Sequence, residues 1–171
     1  LDSAADTKID ELIAVLQQLV AAHVKLLGLL QRKRAALASA DYQKITELCE
    51  MANVSVQQIS EQEKARLTLV ADLTLMADPA APAPLRMAEL ADRLPEPTRG
   101  VLLVLRQRLL EQMRHVQRET NVTKRATQSL ATHMRGLAHT IGALYTGVSV
   151  YDRQGAPPPE AIAVSTFNTT A

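Results

Sequence analysis

Apolar residues near the start of the chain recur at steps of three and four: Ile9, Leu12/Ile13, Leu16, Leu19/Val20, Val24, Leu27 and Leu30. That spacing puts them on one face of a long helix, predicted from about residue 6 to 39. Small residues follow, and then Asp41, which can cap a second helix by accepting a hydrogen bond from a backbone N–H near Lys44; the alternative is a kink joining the two. The second pattern runs through Ile45, Leu48/Cys49, Ala52, Val56, Ile59, Leu67, Val70 and Leu73, which predicts a helix over 41–77. Asp78-Pro79 stops it, because proline lacks the N–H donor and crowds the preceding turn. A stiff connector, 78–84, a short helix, 85–94, and a second break at Pro95-Glu96-Pro97 come next. The third long pattern is the most regular: Leu102, Leu105, Leu109, Met113, Val116, Thr120, Thr123, Thr127, Leu130, Met134, Leu137, Ile141 and Leu144. Steps of three and four throughout describe a coiled-coil-like seam on a helix over 97–146, more than about 70 Å long at 1.5 Å per residue.

A helix of that length needs something comparably long to pack along, and the first two helices supply it. The expected fold is all-α: long antiparallel helices in a three-helix coiled-coil-like bundle, a single domain over 1–147, and a flexible C-terminal tail over 148–171. The tail is expected because periodicity stops at Gly147 and a Pro-, Ser- and Thr-rich stretch follows.

Composition agrees with helix packing. Aromatic residues make up 2% of the 171 residues against 47% hydrophobic overall, so the core must come from Leu, Ile, Val, Met and Ala. Nineteen Lys and Arg balance 18 Asp and Glu, so net charge calls for no polyanionic partner. Cys49 is the sole cysteine, which excludes an internal disulfide framework; beside Leu48 and Ala52 it reads as a small core residue. No uninterrupted apolar run reaches the roughly 20 residues of a membrane span, and Leu1 to Asp10 carries acids instead of a basic signal head. Cytoplasm is the expected compartment, without membrane insertion.

Catalytic signatures are missing. His133 and His139 are six apart, His23 and His115 stand alone, and no glycine-rich phosphate loop, nucleophile elbow or paired-cysteine motif occurs. The expectation is a protein that grips a partner, with no catalytic residues, no metal site and no cofactor. Basic residues outnumber acids between Arg99 and Arg135, and Arg114, Arg118, Asn121 and Arg125 share one face of the third helix. The ordinary reading is a solvated face or one paired to acids on neighbouring helices; nucleic acid is the sharper reading but lacks stacking aromatics along the stripe. Thr120, Thr123 and Thr127 would each bury a hydroxyl in the seam. Either they bond back one turn, or they mark a layer that a partner can enter.

The chain resembles the FlgN family of flagellar export chaperones over about residues 6 to 155. Leu27-Gly-Leu-Leu-Gln-Arg-Lys-Arg-Ala-Ala-Leu37 followed by Ala40-Asp41-Tyr42, Ile45 and Leu48 is similar to the family's first helix, the Asp that follows it and its leucine-spaced second helix. Glu63 and Arg66 match a Glu and an Arg three apart in that helix, whereas Cys49-Glu50 stands where the family often carries Lys, so no role of that Lys transfers. Asn121 matches the first of two asparagines three apart, Lys124 replaces the second, and Tyr151-Asp152-Arg153-Gln154-Gly155 resembles the family's ending.

The resemblance implies a cytoplasmic chaperone that binds hook-associated junction proteins, prevents their premature assembly and delivers them to the flagellar export gate. An unrelated coiled-coil scaffold and a nucleic-acid-associated protein remain as alternatives, and a homo-oligomer is left open. The client seat is expected at Leu130, Met134, Leu137, Ile141 and Leu144, which continue the seam past the threonines; the competing reading is that all five close the chain's own core. Tyr151 is expected to be an exposed contact for the export gate, the competing reading being that Val148 and Val150 pin it against the bundle end.

Overall fold

The structure, a computed structural model, describes the backbone of residues 3–146 and the side chains of residues 4–143. Within it the chain is all-α: α1 (Ser3–Ala38), α2 (Tyr42–Ala77), α3 (Met87–Asp92) and α4 (Thr98–Thr146), with no strand among the described residues. The three long helices fall where periodicity placed them. The short helix expected over 85–94 is trimmed to six residues.

Local chemistry sets each boundary. Ala40 turns left-handed at φ 51°; its N–H donates to the Leu37 carbonyl at 3.2 Å and that of Asp41 to Ala36 at 3.0 Å, which closes α1 in a Schellman arrangement. Asp41 then opens α2, its carboxylate accepting from the Lys44 N–H at 3.1 Å. The cap, rather than a kink, separates the two helices. At the far end Thr74 is buried; its hydroxyl donates to the Val70 carbonyl at 2.7 Å and accepts the Leu85 N–H at 3.0 Å, tying the connector to α2. The Arg86 N–H donates to Glu89 at the start of α3, and that of Gly100 to the Glu96 carboxylate at the start of α4.

Lys8, near the start of α1, pairs with Asp72, near the end of α2. At the other end Ile45 and Leu48 pack with Leu29 and Ala36, so α1 and α2 run antiparallel. A larger cluster joins Ile9, Leu12, Leu16 and Leu19 of α1 to Val70 and Leu73 of α2, Leu90 and Ala91 of α3, and Leu102, Leu105 and Leu109 of α4. Leu12, Leu19 and Leu102 have no exposed surface. Burial of each such side chain contributes roughly 1.5–3 kcal/mol.

Between these clusters the seam differs from the pattern read in the sequence. In α1 it passes through Ile9, Leu12, Leu16, Leu19, His23, Leu26 and Leu30; Val24 is 51% exposed and Leu27 half-buried. In α2, Ser55 is buried while Val56 and Leu67 are exposed. In α4 the seam after Leu109 passes through Gln112, Val116, Glu119, Thr123, Ala126 and Leu130, with Leu110 half-buried beside it, and Met113, Thr120 and Thr127 face outward. The physical reason is register. The covered positions follow a steady alternation of three and four, which lands on polar residues here, and their apolar sequence neighbours lie one position off it. Cys49 is half-buried beside buried Leu48, in a core-flanking position.

By length and composition α1 would suffice to cross a membrane, although no continuous apolar run in it does. Here its apolar face supplies the core. The chain divides into two compact units between Thr127 and Gln128, inside α4. The expected domain edge at 147/148 lies where the described residues end.

Candidate functional site

In the second unit, α4 from Gln128 onward carries an apolar stripe. Leu130, Met134, Leu137, Ile141 and Leu144 fall within about 80° of arc at 100° per residue. Leu130 is half-buried, Met134, Leu137 and Ile141 are 42%, 44% and 53% exposed, and every residue from Ala131 to Gly142 is exposed. The Leu144 side chain lies outside the described residues, as does Tyr151. Ala131, Ala138 and Gly142 flank the stripe and leave room for another backbone to approach, while Arg135 and His139 occupy the opposite side.

In the first unit, the Glu63–Arg66 pair noted in the sequence is a two-pronged ion pair: Arg66 Nε donates to Glu63 Oε2 at 2.9 Å and a terminal nitrogen to Oε1 at 2.5 Å. These hydrogen bonds hold the Arg66 guanidinium above its ordinary value against the opposing effect of burial. Arg66 sits beside Leu16, Met87, Arg106, Leu109 and Met113 at a small apolar cavity of about 250 Å³.

The threonines split. Thr127 donates to the Thr123 carbonyl at 2.9 Å, the back-bond that was one of the two readings of these residues. Thr120 is exposed, and Thr123 is buried with no hydrogen-bond partner for its hydroxyl. Ser55 Oγ, Gln62 Oε1 and Glu119 Oε1 share that condition. Arg34 stands 3.3 Å from Glu119 Oε1 but out of line for a hydrogen bond, and donates instead to Oε2 at 3.4 Å. Sequence reasoning missed this polar stretch because it ranked positions by hydrophobicity. A strict count of three and four from Leu19 and Leu109 would have found His23, Gln112 and Glu119. His23 Nδ1 lies 2.7 Å from the Leu19 carbonyl oxygen, a partner that lets a ring sit in the seam.

Among the described residues no three of His, Cys, Asp and Glu gather as metal ligands. The described chemistry is that of helix surfaces: an exposed apolar stripe and a small cavity beside a paired arginine. The class is that of an all-α protein built from long helices. Comparison with known families gives a match to the FlgN protein family over residues 8–159, and the chain belongs to that family. The family is one of flagellar export chaperones. No curated protein and no solved structure matches the chain.

Proposed function

We propose that the protein is a type III export chaperone that holds a helical terminus of hook-associated junction proteins in the cytoplasm, keeps it from assembling prematurely and delivers it to the export gate. The observation that supports this reading is the exposure of Leu137 and Ile141 on the same helix face as Leu130. An amphipathic helix from the client would lay its own apolar face along that stripe, with Met134 adapting to its shape and Leu144 extending the contact. Moving a half-exposed Leu or Ile out of water contributes about 1 kcal/mol, so four or five such residues support a specific but releasable complex. The reading includes a three-helix coiled-coil-like seam for α1, α2 and α4, supported by the alternation of three and four in their covered positions. Tyr151 would dock on the gate as a rigid aromatic anchor with a free hydroxyl.

The test is a Met134→Glu/Leu137→Glu double variant in titrations against purified junction proteins. Placing two carboxylates against an apolar client face costs several kcal/mol, so affinity should fall more than about a hundredfold while circular dichroism and the melting temperature hold. Unchanged client affinity would remove the stripe from the site. In the same assay Tyr151→Ala should keep client affinity and weaken binding to the cytoplasmic part of the gate. Lost thermal stability with intact gate binding would make the ring structural instead. An absence of any junction-protein complex would favour a scaffold of another pathway.

A further inference from the structure

A second surface lies entirely in the first unit, on the outer side of α4. Arg106, Leu110, Met113, Arg114, Gln117 and Arg118 fall within about 140° of arc and run along about 18 Å of helix. Met113 is 48% exposed and Leu110 half-buried, and Arg106, Arg114 and Arg118 are exposed. None of these three arginines joins an ion pair among the described residues. The stripe continues into a cleft of about 710 Å³ between α2, the connector and α4, lined by Leu67, Val70, Pro84, Met87, Arg66 and Arg106. Arg66 and Arg106 also line the cavity of about 250 Å³, and Leu110 and Met113 connect that cavity to a shallow trough of about 670 Å³ reaching Arg118. The three depressions therefore form one groove, with an apolar floor and a cationic edge. Glu63 is the acid lining it, and its carboxylate is already engaged by Arg66.

We propose that this groove is a docking surface for an acidic amphipathic helix of a partner protein, separate from the stripe assigned to the client. Charge complementarity picks the occupant. Unpaired guanidiniums eight and four residues apart match carboxylates at i, i+8 and i+12 on a parallel helix, or at i, i+4 and i+12 on an antiparallel one, and Arg takes a carboxylate through two parallel hydrogen bonds. Leu110, Met113, Met87 and Leu67 accept the partner's apolar side, and the two methionines adjust to its contour. Three to four turns of partner helix span the groove. A nucleic acid would meet the same cations but would find an aliphatic floor with no ring to stack on.

The experiment is fluorescence anisotropy on the full chain with a labelled synthetic helix of about 16 residues, long enough to span the groove. It carries Leu at alternating third and fourth positions and Glu on the flanks. A scrambled peptide of equal composition and a single-stranded oligonucleotide of similar length serve as comparisons. Saturable binding to the ordered peptide is expected, weakening as salt is raised. Arg114→Glu/Arg118→Glu should reduce affinity about tenfold or more, since each reversal replaces an attraction by a repulsion. Met113→Ser should reduce it about threefold to tenfold through lost apolar contact. All three positions are exposed, so circular dichroism should not change, and Met134→Glu/Leu137→Glu should leave this binding intact. Equal binding of the scrambled peptide, tighter binding of the oligonucleotide, no binding of the ordered peptide, or indifference to both sets of substitutions would overturn the proposal.

Discussion

Ala40 sits at the position after α1 where glycine is the usual choice, because a Cβ crowds the following carbonyl at positive φ. The surrounding hydrogen bonds, from Ala40 to Leu37 and from Asp41 to Ala36, hold it there. Ala40→Gly should therefore raise the unfolding free energy by about 0.5–1 kcal/mol, read as a higher urea midpoint at unchanged slope. Asp41→Ala should lower it by about 1 kcal/mol through loss of the contact to Lys44. If Ala40→Gly were destabilising, the left-handed turn would not be the resting conformation. The two residues were unequally legible. Asp before a helical pattern advertises a cap, whereas alanine advertises helix, so a turn made from Ala40 is visible only once the hydrogen bonds on either side of it are known.

Along each long helix, the covered positions keep time with a neighbour instead of with hydrophobicity. Ser55 in α2 and Thr123 in α4 are buried with unpartnered hydroxyls, while Val56 and Met113 lie outside the seam. Desolvating a hydroxyl without a partner costs about 1–3 kcal/mol, so Ser55→Ala should stabilise the fold by about 1 kcal/mol in chemical denaturation. A loss of stability would show that Ser55 Oγ has a hydrogen bond worth keeping. Helix existence, length and breakers were legible because prolines and caps are local signals. The inner face of each helix was less so. Val24 and His23, or Met113 and Gln112, differ by one position, and only the packing of the folded chain decides which of the two is covered. The stripe from Leu130 to Ile141 shows the limit from the other side. Periodicity identified the apolar side of the helix, but the same period serves a core and a docking face, so exposure had to come from three dimensions.

At the scale of the molecule, the first unit holds two apolar clusters that differ in what they need from the chain. The cluster of Leu29, Ala36, Ile45 and Leu48 uses α1 and α2 alone and spans about 20 positions. The other cannot be completed until Leu102, Leu105 and Leu109 are available to Ile9, Leu12 and Leu16, nearly a hundred positions earlier. Sequence separation orders these events in time, because closing a short loop costs less entropy than closing a long one. The hairpin tip around Ala40 and Asp41 should thus form first, both in refolding and as the chain leaves the ribosome, and the leucines near the N-terminus should wait for α4. Pulsed hydrogen exchange during refolding would show amides of residues 29–48 protected ahead of those of 102–109; simultaneous protection would sink this order. On that order a nascent chain of this protein should carry an uncovered leucine face for as long as it takes to synthesise the connector and the first turns of α4, so a member of a chaperone family should itself present, in that interval, the kind of exposed apolar surface that general chaperones shield.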